Sequence, residues 1–406
     1  MGEFGNELSL YIHLPYCESL CTFCGCNKRI TKNHAVELPY ILAVLDEWKL
    51  YLKLFNQRPI IKEIHLGGGT PTFFQPENLR ILINGLIEDA NVAEDYAFSF
   101  EGNPQNTSRK HLQTMRDLGF NRLSLGIQDF DPKVQHTINR IQSYELVAEV
   151  TANARSIGYN SISYDVVYGL PFQTLESIKD TFEKVGKLRP NRIAYYSYAH
   201  VPWIKGNGQR GYDEANLPHH DLKRSMYEFG KELLQKDGYT EIGMDHFGLP
   251  DDELFHAMKS NSLHRNFMGY VPFISKNMIG LGVSSISDSW YAFSQNEKNI
   301  DHYLERIKAG ELPAAKGHIL DEEDLLVRQL ILDIMCRFEA KIPHVFLTKK
   351  LTKQLNTFEQ DGIIILQGNY LKVTTLGQAF VRNVCMAFDF RLMRDKPETQ
   401  LFSMTI

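Results

Sequence analysis

A strand-like run followed by a helical run recurs along the first two-thirds of the chain, and this rhythm limits the possible folds more than any other feature. Alternating, β-branched segments cover Leu8–Leu14, Ile60–Leu66, Tyr96–Phe100, Arg122–Ile127, Ser161–Val167, Arg192–Tyr198 and Glu241–Asp245. Helical periodicity fills 35–54, 76–88, 107–118, 143–157, 174–187 and 219–237. Repeated strand–helix units build a parallel sheet with helices outside it. Seven such strands predict an α/β fold, a partial or near-complete (β/α) barrel of the TIM type over residues 1–292. The rhythm stops near Ile300. A helix over His302–Lys308, a link at Glu311–Lys316, helices over Glu322–Phe338 and Gln354–Gln360, a hairpin over Gly362–Thr374 and a helix over Leu376–Arg391 follow. They predict a smaller, mainly helical, winged-helix-like domain at 293–406 that caps the barrel.

The unusual chemistry sits at the C-terminal ends of the strands. Gly67–Thr72, Glu101–Pro104, Gln128–Asp129, Asp165 and Tyr198–His200 all fall there. Parallel barrels build their sites from these ends. One such end alone reads as a turn; five together point to a common site. Lys and Arg number 44 and Asp and Glu 49, a net charge of −5. That balance excludes a general nucleic-acid binder. No apolar stretch of about eighteen residues marks a membrane span. Met1–Asn6 has neither the basic nor the apolar part of a signal peptide, and Asn6 replaces the Ser or Thr of a myristoylation motif. The expected compartment is the cytosol, where thiols stay reduced.

Four of the six cysteines, Cys17, Cys21, Cys24 and Cys26, fall within ten residues. In a reducing compartment this crowding points to metal. Structural zinc uses two C-x2-C pairs, or one pair with two histidines across a longer loop. Neither second pair exists here. The C-x3-C-x2-C spacing of Cys17, Cys21 and Cys24 suits a [4Fe–4S] cluster held by three thiolates, with one iron open. Cys26 lies two residues past Cys24, too close to reach a different corner. It reads as a neighbouring thiol. Cys336 and Cys385 lie on apolar helices and read as core.

A C-x3-C-x2-C loop after a first barrel strand, with Phe23 before the third cysteine, resembles the radical S-adenosylmethionine (SAM) superfamily. The resemblance implies that SAM chelates the open iron. One electron then cleaves its sulfonium C–S bond, and the resulting 5′-deoxyadenosyl radical abstracts a hydrogen atom. Gly67, Gly68 and Gly69 fit this picture, since glycine lets backbone approach a ligand closely. Further segments narrow the match: Tyr11–Cys17, Phe23–Lys28, Gly67–Thr72, Asn121–Phe130, Asp165–Pro171, Tyr198–His200, Gly243–Phe247, Leu263–Phe267 and Arg382–Asp389. Together they resemble the oxygen-independent coproporphyrinogen III oxidases over Ser9–Ile406, without the N-terminal arm that family carries; seven residues precede Leu8 here. A second departure is Gly102-Asn103-Pro104 after Glu101, where the family has a Val-Asp pair.

That resemblance implies oxidative decarboxylation of two propionates of coproporphyrinogen III to vinyl groups. The product is protoporphyrinogen IX, a haem precursor. It implies Tyr11, Gly68, Glu101 and Ile286 around a first SAM, and Phe23, Gly69, Thr70, Gln128, Arg140, Asp165 and Ala199 around a second. It also implies an external electron donor such as a flavodoxin or ferredoxin, and a monomer. Unaided, Asp165 reads slightly more readily as a helix N-cap or turn residue. His264, Arg265 and Asn266 offer a cation to substrate carboxylates, against the plainer reading of a surface loop. The competing functions on such a barrel are a haem-binding chaperone and a haem-degrading methyltransferase.

Overall fold

The computed structural model describes residues 6–203 and 208–394. Two compact units emerge, one from residues up to 237 with 275–319, the other from 238–274 with residues from 320 on. The division is therefore discontinuous, where the sequence rhythm drew one cut after residue 292.

The first unit is built on seven parallel strands: β1 (Glu7–Leu14), β2 (Ile60–Gly68), β3 (Asn91–Gly102), β4 (Arg122–Gln128), β5 (Ser161–Tyr168), β6 (Arg192–Ser197) and β7 (Asn277–Leu281). Their spatial order is β7-β1-β2-β3-β4-β5-β6, with every neighbouring pair parallel. This is a partial (β/α) barrel, as the strand rhythm predicts. Helices α1 (Glu37–Leu52), α2 (Pro76–Glu88), α3 (Arg109–Asp117), α4 (Pro132–Thr137), α5 (Tyr144–Ile157), α6 (Leu175–Leu188) and α7 (His220–Lys236) fall between the first six strands and after them. Their starts are written locally. The Ser108 and Thr174 hydroxyls accept from the third backbone N–H of α3 and α6, and Asp131 and Ser143 cap α4 and α5. Gly158, at φ 101°, closes α5 in the left-handed region.

Leu8, Leu10, Ile12 and Leu14 of β1 are fully buried. Each stabilises the fold by about 2 kcal/mol through lost apolar exposure. β1 is covered on both faces: Ser9 and His13, which alternate with the apolar residues, are buried as well. Register then assembles the site: Leu14 lies beside Gly68, Glu101 beside Ser124, and Gly126 beside Asp165. Leu14, Gly68 and Glu101 are at C-terminal strand ends.

Two strand predictions change. Glu241–Asp245 is not a seventh parallel strand: Thr240–Gly243 and His246–Gly248 are strands of the same sheet, paired antiparallel with each other, with Met244 at φ 47° in the turn. The seventh parallel strand is β7, paired with β1 from Ser9↔Met278 to Ile12↔Leu281. Three antiparallel strands extend the sheet beyond β7, at Ile286–Ser289, Ala292–Asn296 and Ala314–Ile319. The last lies partly where the sequence predicts a link, because its six residues are all exposed and carry no apolar pattern.

The second unit packs helices Glu253–Lys259, Glu322–Arg337, Lys349–Gln360 and Val381–Met386 with a three-stranded sheet, Glu339–Lys341, Tyr370–Val373 and Ile364–Gln367. The hairpin is as predicted. The long helix expected over Leu376–Arg391 is broken at Ala387–Asp389 into Val381–Met386 and Phe390–Arg394. Cys336 and Cys385 are buried in this unit's core. Among the described residues no helix is long and apolar enough to cross a membrane.

Candidate functional site

The loop from Cys17 to Cys26 leaves the end of β1 and is fastened on both sides. Arg29 N–H donates to Pro15 O at 2.8 Å and Thr31 N–H to Cys17 O at 2.9 Å, pairing Tyr16–Cys17 with Arg29–Ile30 as short parallel strands. Thr22 N–H reaches Ile138 O at 2.9 Å, and its hydroxyl reaches Thr137 O at 2.8 Å. Cys17, Cys21 and Cys24 are half-buried and unbridged, and Cys26 is exposed.

Each of the first three sulfurs has one polar partner. The Cys17 Sγ lies 3.2 Å from the Thr70 hydroxyl. Arg140 Nη1 lies 3.8 Å from Cys21 Sγ, while its Nη2 donates to Gly126 O at 2.8 Å and its Nε to Gln142 Oε1 at 3.3 Å. The Cys26 thiol donates to Cys24, which pulls Cys24 down to about 6, helped by the nearby Lys28 and Arg140 charges. Cys26, giving that bond, is pushed well up. Burial pushes Cys17 up to about 11 against the opposing Thr70 bond.

No three His, Cys, Asp or Glu side chains among the described residues converge on one metal ion. A cluster makes no such demand, since each thiolate takes its own iron. The soft donor set, with a polar group on each sulfur, fits an iron–sulfur group.

The three cysteines open onto a cavity of about 160 Å³. Phe23, Gly68, Gly69, Thr70, Glu101, Gln128, Arg140 and Asp165 line it together with Cys26, as do Lys28, Asn103 and Asn106. The glycines are sterically required. A Cβ on Gly69 would stand 2.7 Å from the Pro15 carbonyl atoms, and one on Gly68, at φ 111°, 2.7 Å from the His13 ring. Asp165 is neither a cap nor a turn residue. It projects from β5 toward Ser124, whose hydroxyl donates to its two oxygens at 3.3 and 3.4 Å. Burial first, and then the Glu101 charge, push Asp165 up to about 7.

Three expected residues stand outside that wall. The Tyr11 hydroxyl bonds His13 Nδ1 at 3.0 Å, behind Gly68, and its ring stacks on His65. Ile286 begins an antiparallel strand, its backbone carbonyl against Gly280. The Ala199 carbonyl accepts from Gln209 Nε2 at 2.7 Å, and the same amide reaches Phe23 O at 3.3 Å. His264–Asn266 belongs to the second unit, where it is a hairpin strand with Gly269–Val271 and not a surface loop. His264 is buried there and lowered to about 4, chiefly by burial. The Arg265 guanidinium lies 4.7 Å over the Tyr270 ring, and its Nη1 is buried without a hydrogen-bond partner.

Sequence reasoning missed the groups that hold Glu101. His65 donates or accepts at Ser99 Oγ through Nδ1 at 2.8 Å, and its Nε2 stands 3.4 Å from Glu101 Oε1. The available signal was His65 at the C-terminal end of β2, just before the glycines.

Comparison with known proteins agrees with this geometry. Residues 11–185 match the family model of the radical SAM superfamily. An oxygen-independent coproporphyrinogen III oxidase of Pseudomonas aeruginosa is 36% identical over 396 residues, 95% of this chain and 86% of that one. One from Helicobacter pylori is 38% identical over 392 residues, 94% of this chain and 86% of that one. The chain belongs to the oxygen-independent coproporphyrinogen III oxidase family. The solved structure of coproporphyrinogen III oxidase from Escherichia coli, described as a radical SAM enzyme, superposes with a TM-score of 0.89 at 34% identity, covering 95% of this chain and 91% of that one. Membership in this family implies a [4Fe–4S] cluster and the use of SAM. It also makes the chain a radical SAM oxidoreductase.

Proposed function

We propose that the chain converts coproporphyrinogen III to protoporphyrinogen IX by oxidative decarboxylation of two propionates. For each vinyl group one C–H bond and one C–C bond break, carbon dioxide leaves, and two electrons leave the substrate. The observation that carries this reading is the cysteine loop opening onto one cavity with Gly68, Gly69, Glu101 and Asp165, in a chain that covers its family relatives nearly end to end. Cys17, Cys21 and Cys24 would hold the cluster. When bound, the cluster and SAM together supply one electron to a sulfonium and a fragment able to take a hydrogen atom.

The chain's own residues do the rest. Thr70, Arg140 and Cys26 each place a donor on one ligand sulfur, which fixes the loop and tunes its electron density. Gly68 and Glu101, with Tyr11 and Ile286, form the place for the SAM on the cluster. His65 orients Glu101 by keeping a ring nitrogen beside its carboxylate. Phe23, Gly69, Thr70, Gln128, Arg140, Asp165 and Ala199 form the place for a second SAM. Asp165 offers either a carboxyl proton or a carboxylate to a ribose hydroxyl near neutral pH. The electron donor is external, and the working unit is a cytoplasmic monomer.

The test is anaerobic turnover of reconstituted protein with SAM, a reductant and coproporphyrinogen III. Two vinyl groups per substrate uphold the reading. SAM cleavage with no vinyl product rejects it. Stoichiometric haem uptake without conversion would mark a chaperone, and a linear tetrapyrrole would mark haem opening with methyl transfer.

A further inference from the structure

The surface beside the cysteine loop carries a charge opposite to that of the whole chain. No Asp or Glu occurs from Ser19 to Val36, yet Lys28, Arg29 and Lys32 fall within five residues. With the chain at −5, everything outside this stretch sums to −8, from 41 Lys and Arg against 49 Asp and Glu.

The stretch is fastened to the thiol loop, through the pairing of Arg29–Ile30 with Tyr16–Cys17. Asn27 Nδ2 donates to Lys298 O at 2.9 Å, which brings a fourth basic residue to the same face. The Lys28 ammonium is occupied within the loop, on the Cys24 and Cys26 carbonyls at 3.2 Å each. Arg29 meets Asp301 at 3.2 Å, an exposed pair that water screens. Lys32 and Lys298 are exposed. Among these cations Ile30 leaves 42% of its surface in solvent. Gly25 and Cys26 are exposed beside Cys24, and a Cβ on Gly25 would meet nothing within 4 Å. An exposed apolar residue flanked by Arg29 and Lys32, on a segment paired with the thiol loop, has the mixed apolar and cationic character of an interaction surface.

We propose that this face, formed by Gly25, Cys26, Arg29, Ile30, Lys32 and Lys298, docks a small acidic one-electron carrier that reduces the cluster. The proposal rests on the radical SAM reading of the cysteine loop. The carrier loses one electron and the cluster gains it. Electron transfer falls steeply with distance, so the carrier must dock where the ligand loop comes closest to solvent. Gly68, Glu101 and Asp165 line the cavity with the loop; past Cys24, Gly25 and Cys26 are exposed. A positive patch on a net-negative protein also steers an acidic partner to that one place.

The test uses an acidic flavodoxin. Its affinity is measured in the oxidised form, and cluster reduction by its reduced form is followed by absorbance in stopped flow without porphyrinogen. Arg29→Glu, Lys32→Glu and Lys298→Glu are combined in one chain. A matched control carries Lys53→Glu, Lys187→Glu and Lys236→Glu, at the opposite ends of the strand–helix units. The first variant should bind about tenfold or more weakly at low salt and be reduced correspondingly slowly. Photoreduced deazaflavin should reduce both variants at the wild-type rate. Unchanged affinity and rate in the first variant, or an equal loss in the control, would overturn the proposal. Normal reduction through the carrier without vinyl product upholds the docking face and counts only against the assigned substrate.

Discussion

Asp165→Asn should make the metal-free protein more stable in mild base while removing its activity. The carboxyl ionises near 7 in the fold, against an ordinary value of 3.8. An acid whose value is raised on folding keeps its proton longer in the fold than in the open chain. Stability is therefore intact below about pH 4 and falls as pH rises toward 7. Each pH step between the two values costs about 1.4 kcal/mol, or about 4 kcal/mol across the window. Asp165 is only partly shielded, because it faces the cavity. Water there screens the charge, so about 2 kcal/mol is the reachable figure. Asparagine keeps an oxygen for the Ser124 hydroxyl and carries no charge, which also removes the repulsion from Glu101. Urea unfolding of wild type and variant at pH 4, 5, 6, 7 and 8 measures the difference. The gap should be near zero at pH 4, widen through pH 6, and level off by pH 8. A constant gap, or a variant less stable at pH 8, would show that the raised value is wrong and that Asp165 is an ordinary structural carboxylate.

Gly69→Ala drives a methyl into the Pro15 backbone, two residues before Cys17, and should cost about 1–3 kcal/mol in urea unfolding. Reconstituted iron per chain should fall with it; a wild-type iron content would count against the tight approach. Cys26→Ser should retain the cluster absorbance that Cys24→Ser loses, because the proposed ligand set includes Cys24 and not Cys26, and equal loss in both would make Cys26 a fourth ligand. Glu47 is fully buried and accepts from Gly282 N–H, Asn296 Nδ2 and the Tyr303 hydroxyl at 2.8, 2.6 and 2.7 Å. Glu47→Ala leaves the Gly282 N–H and the Tyr303 hydroxyl without this acceptor, while Asn296 Nδ2 keeps Gly282 O and Ser285 Oγ; it should cost about 2 kcal/mol or more, and Glu47→Gln clearly less; equal costs would refute the hydrogen-bond account.

What the sequence made legible was what is local. The cysteine spacing, the Gly67–Gly69 run and the alternation of β1 each depend on neighbours a few residues away. β7 was hidden because its partner, Ser9–Ile12, precedes it by more than 260 residues and no helix announces it. Glu241–Asp245 misled because its alternation is that of any strand. Only Tyr270, packed where a Gly243 side chain would stand, reveals that this segment belongs to another core. In the site, Gly68, Glu101 and Asp165 could be named from strand ends. His65 beside Glu101, and the separate partners of the three sulfurs, need the registers and loop contacts that place residues 34 to 119 positions apart side by side.

The short pairing of Tyr16–Cys17 with Arg29–Ile30 bears on how the protein lives with iron shortage. In a zinc finger the metal supplies the folding energy, and a chelator unfolds the domain. Here the loop's ends are joined by backbone hydrogen bonds, its middle is tied to Thr137 and Ile138, and the apolar core of β1 forms without any sulfur. Losing its iron leaves this chain folded, with its thiols still in place. An oxidised or iron-starved population can then regain its cluster by assembly alone, with no new round of synthesis and folding.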